Sequence, residues 1–139
     1  MIDPNVLNTL QNHTIYAEDI LNRLEGMGYT ATIADVTILK FVSEKVVNHV
    51  QSACNVNEIP DGLKEICVDM ICGEFLSEKN SLNQLEGFDV DEAISSVTMG
   101  DVSVSYDKSS NPATKFQALI HSLINDKAGD LACYRKLKW

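Results

Sequence analysis

Apolar residues recur at helical spacing through most of the chain. Tyr16, Ile20, Leu24 and Met27, with Leu21 beside them, predict a helix over Ile15–Glu25 that Gly26 and Gly28 stop. The residues before it, DPNVLNTLQNH, are expected to add a turn or to be mobile. A second helix is predicted from Ile33 to about Cys54, with Thr32 as its N-cap and Asp35 favouring its positive end. Its stripe is Leu39, Val42, Val46, Val50 and Ala53, widened by Val36 and Val47. Pro60 then breaks the structure, Asp61 is expected to cap, and Leu63, Ile66, Cys67, Met70, Ile71 and Phe75 predict a third helix. Residues 79–92 read as a polar connection. A fourth helix is announced by Asn111 as N-cap and Pro112 at the first helical position. Its stripe is Phe116, Leu119, Ile120, Leu123 and Ile124, with Lys127 at its negative end and Gly129 just past it.

One stretch breaks the helical rhythm. In VTMGDVSVSY, residues 97–106, Val102, Val104 and Tyr106 alternate with Ser103 and Ser105, the period of a strand. Ala93–Met99 and Val102–Tyr106 are therefore predicted to form a hairpin about Gly100–Asp101. An isolated two-stranded ribbon is marginal in water. Its apolar face rests either on the chain's own helices or on a neighbouring subunit. The expected fold is mainly α: a four-helix subunit, one short β-hairpin near 93–106 between the third and last long helices, and an extended C-terminal tail. The organisation reads as a helical domain over 1–129 and a docking tail over 130–139.

With 139 residues, 45% hydrophobic and 22% charged, the chain is long enough for one domain that needs no disulfide or metal to fold. No run approaches the roughly 20 apolar residues of a membrane span. The N-terminus lacks the basic start and apolar core of a signal peptide, so a cytoplasmic protein is expected. Cys54, Cys67, Cys72 and Cys133 form no C-x-x-C pair. Free buried thiols are the expected state, with a metal site or a disulfide as the alternatives.

The net charge of −9 is unevenly placed. Residues 1–109 hold 6 basic and 18 acidic side chains, net −12, whereas residues 110–139 hold 5 and 2, net +3. An acidic body does not suit binding dominated by nucleic-acid phosphates.

Convergent chemistry is sparse. His13, His49 and His121 fall in three segments with no H-x-x-x-H spacing. The seven glycines are scattered, and Ser103 and Ser105 lack a nucleophile-elbow context. Asp89/Asp91 and Glu18/Asp19 read as solvated charges, the alternative being a paired-carboxylate glycosidase site. No catalytic residue, cofactor site or metal site is predicted.

The tail YRKLKW stands out instead. Tyr134, Arg135, Leu137 and Trp139 crowd six positions, and such residue types dominate protein interfaces. The tail either folds back on the domain or docks into another protein. The general alternative is a helical protein-interaction module, such as a cytoplasmic regulator or assembly chaperone.

In its GMGY at 26–29, IPDGL at 59–63, VDMICGEFL at 68–76, GDVSVSY at 100–106 and closing YRKLKW, the chain resembles the small head–tail connector (adaptor) proteins of tailed phages and prophages. It departs from them at Lys136, where the family often shows a second Arg. The resemblance implies a non-enzymatic virion protein at the head–tail junction, assembled in the host cytoplasm. It implies a dodecameric ring beneath the portal protein that extends the DNA channel. DNA would pass without sequence-specific binding, no membrane would be involved, and the ring would seat the next tail-completion (stopper) protein. It assigns portal contact to Tyr134, Arg135, Leu137, Lys138 and Trp139. Contact between subunits is then expected at the hairpin residues Val97, Met99, Val102, Val104 and Tyr106.

Overall fold

The computed structural model describes residues 2–12, 14, 16–85, 87–98 and 111–124. Among these the order is α1 (Pro4–Gln11), α2 (Ala17–Gly26), α3 (Val36–Cys54), α4 (Lys64–Ser81), α5 (Val90–Thr98) and α6 (Pro112–Ile124). Short 3-10 turns, Ile33–Asp35 and Asp61–Leu63, lead into α3 and α4.

The predicted helices are present with small shifts at their ends, and the region before the first one is itself helical. The Asp3 carboxylate accepts the Asn5 N–H at 2.9 Å, and Pro4 sits where a missing N–H costs nothing. Val6 and Leu10 then bury one side of α1. The 3-10 turn and α3 together cover the predicted second helix. Thr32 N–H donates to Asp35 Oδ2 at 2.9 Å, the reciprocal half of a capping box. Asn55 ends α3 in the left-handed conformation, φ 55°, which Asn tolerates better than most residues. Asp61 makes no side-chain cap; the extended Pro60 precedes the turn instead. At α6, Asn111 Oδ1 accepts the Thr114 N–H at 2.9 Å, as its N-cap role requires. Lys127, Gly129 and the whole tail over 130–139 lie outside the described residues.

The hairpin is overturned, while the mainly α character expected from the sequence agrees with the structure. Ala93–Met99 does not supply a first strand: residues 90–98 are α5, and no strand occurs among the described residues. The physical reason is local. Asp89 Oδ1 accepts the Glu92 N–H at 3.1 Å, and Asp89 O accepts the Ala93 N–H at 3.1 Å. Asp91 and Glu92 sit in the positive first turn. Val90, Ala93, Ile94 and Val97 follow at helical spacing, and the last three are buried. Met99, Val102, Val104 and Tyr106 lie outside the described residues.

α4 organises the core. Its buried residues include Cys67, Val68, Met70, Ile71, Phe75 and Leu76, which point in every direction around the axis. A helical segment buried on every side must be enclosed by its neighbours. Accordingly α2, α3 and α6 all pack along it, while α1 braces α2 and α3 and α5 braces α6. Ion pairs join the same layers: Arg23 Nε to Asp69 at 2.9 Å, Lys64 to Asp19 at 3.1 Å, Lys45 to Glu74 at 3.1 Å, and Lys115 to Asp91 at 3.0 Å.

At Gly73, α4 and α6 approach closely. A Cβ built there would lie 2.9 Å from Leu123 Cβ and 2.8 Å from Ile124 Cγ1. Leu123 Cβ is fixed to its backbone, so α6 itself would have to shift. Gly73→Ala is therefore expected to lower stability by about 1–3 kcal/mol through overpacking, although Ala is the better helix former. Urea denaturation measures this, and a higher unfolding midpoint for the variant would contradict the close approach.

Candidate interaction surfaces and the buried polar cluster

The most constrained polar group is a cluster where the start of α3 meets the end of α4. Lys79 Nζ donates to Asp35 Oδ1 at 2.8 Å and to Gln84 Oε1 at 2.9 Å. Tyr29 Oη donates to Asp35 Oδ2 at 2.8 Å, the oxygen that also accepts the Thr32 N–H. Asp35 is 1% exposed, and Lys79 stands 5.9 Å above the Tyr29 ring. Burial alone would push the Asp35 carboxyl up. The Lys79 ammonium, the Thr32 N–H and the Tyr29 hydroxyl outweigh it and hold the carboxyl below its usual range. Burial, and then Asp35, pushes the Tyr29 hydroxyl up. Tyr29 also meets Phe75 edge to face at 5.4 Å, tying the cluster to the core. Sequence reasoning missed Lys79, placing it in a polar connection.

Cys54, Cys67 and Cys72 are free thiols, fully buried. Burial, then the neighbouring Cys54, pushes the Cys67 thiol up to about 11. Burial likewise raises Cys72. Thiolates are thus scarce at neutral pH, which suits packing rather than chemistry. Among the described residues no group of three or more His, Cys, Asp and Glu is arranged to hold a metal, and no helix is long and apolar enough to cross a membrane.

The sites proposed from sequence fare unequally. Val97, expected at a subunit contact, is fully buried in the chain's own core. It lies on α5 and has no surface to offer. Met99, Val102, Val104 and Tyr106 at the subunit contact lie outside the described residues, as do Tyr134, Arg135, Leu137, Lys138 and Trp139 at the portal contact. Among the described residues the exposed large apolar side chains are others: Phe41 at 63%, Ile33 at 54% and Leu82 at 48%. Phe41 projects from the side of α3 opposite its stripe. The signal was available, as an aromatic off the Leu39, Val42, Val46, Val50 face. One turn along the same face, Glu44 and Asn48 form a wall of an open groove of about 610 Å³ between α3 and the end of α1. Ser43 also lines it, and its buried hydroxyl has no hydrogen-bond partner among the described residues.

Comparison with known proteins finds no matching family model, no matching curated protein and no matching solved structure.

Two outcomes follow from the buried groups. Lys79→Met leaves the Asp35 carboxylate buried without its cation and is expected to cost about 3–5 kcal/mol, whereas Lys79→Met combined with Asp35→Leu costs less. The folded-state carboxyl titrates below the unfolded value of about 4. Its contribution is therefore complete above that pH and disappears as pH falls through the folded value. Denaturation curves from pH 7 down to pH 2 should show this loss in the parent and a shallower one in Asp35→Asn. Separately, Cys54, Cys67 and Cys72 should take up a thiol reagent only after unfolding, read by peptide mass mapping.

Proposed function

We propose that this chain is a head–tail connector subunit of a tailed phage, a prophage or a particle derived from one. The observation that carries the reading is the ordered set of motifs shared with that family, three of which fall on packing positions of one helical body. GMGY supplies Tyr29, which meets Phe75 of VDMICGEFL. IPDGL supplies Leu63, fully buried at the entry to α4. In this chain these motifs lie at packing positions, which supports reading them as scaffold.

In this reading the subunit docks beneath a portal protein through Tyr134, Arg135, Leu137, Lys138 and Trp139. Neighbouring copies close a ring that lengthens the DNA channel and seats a stopper protein. Charge supports a passive channel. Among the described residues Arg23, Lys45, Lys64, Lys79 and Lys115 each pair with a carboxylate. The surplus of acid therefore faces outward, and an acidic wall repels phosphate rather than gripping it. The basic tail provides charge complementarity toward an acidic portal surface.

The test is to mix the protein with portal protein of the same particle and image the product by electron microscopy. Rings on the portal are expected, and deletion of residues 134–139 should abolish them while leaving the helical circular-dichroism spectrum intact. Failure of the intact protein to bind portal refutes the connector reading; full binding by the truncated chain refutes the role of the tail.

A further inference from the structure

We draw no further inference here: the strongest candidate, the exposed outer face of α3 that carries Phe41 beside the open groove at Ser43, Glu44 and Asn48, presents charges of both signs in Lys40 and Glu44, and nothing in the structure shows what covers it.

Discussion

From Cys67 to Leu76, α4 turns nearly every residue inward and leaves almost no side to water. Cys67, Met70, Ile71, Phe75 and Leu76 do not form a stripe; they surround the axis. Burying a large aliphatic or aromatic side chain contributes about 1.5–3 kcal/mol, so leaving any flank open would forfeit several such terms. The remaining helices are placed by this requirement. α2, α3 and α6 take the flanks, and the smaller α1 and α5 complete the packing of those covering helices. Gly73 shows how tight the enclosure is: α6 lies where a methyl group would otherwise be.

Apolar enclosure fixes which faces meet but leaves sliding along the axes weakly specified. The Asp35–Lys79 pair resists such sliding. Its oxygens are fully used, one by Lys79 and the other by Tyr29 and the Thr32 N–H. A shift of α4 by one turn, about 5.4 Å, would leave an ammonium and a carboxylate buried apart. That penalty exceeds the modest net gain of a well-made buried pair, so the pair acts mainly against wrong registers. The Lys45–Glu74 bridge at the surface matches the same register at lower stakes.

Sequence legibility follows from the range of the interactions involved. α3 and α6 were readable because their stripes and caps are local: Leu39, Val42, Val46 and Val50 in one, Asn111 and Pro112 in the other. α1 carried the same kind of signal in Asp3 and Pro4, but eight residues gave too short a stripe to weigh. α5 was misread because Ser95, Ser96 and Thr98 come directly before an alternating run in the sequence, while Asp89 and the spacing of Val90, Ala93, Ile94 and Val97 marked a helix. Lys79 was illegible in principle. Its partner is 44 residues away, and nothing in its own neighbourhood distinguishes a buried lysine from a solvated one. The surface signal at Phe41 was local and legible, as an aromatic residue where the helical wheel demands a polar one.

That contrast bears on how a surface for partners is recognised in a chain of this type. The predicted hairpin led to Val97 because a strand face looks unfilled until its cover is seen. Once α5 is placed, Val97 is an ordinary core residue, and its apolarity carries no message about partners. Phe41 has the opposite status. The core of α3 is complete without it, since Leu39, Val42, Val46 and Val50 are already buried where α3 packs on α1 and α4. Folding the isolated chain therefore does not require an aromatic there, and Lys or Glu would serve solvation better. An apolar residue that the fold does not use is stronger ground for a partner than one that a presumed motif has left uncovered.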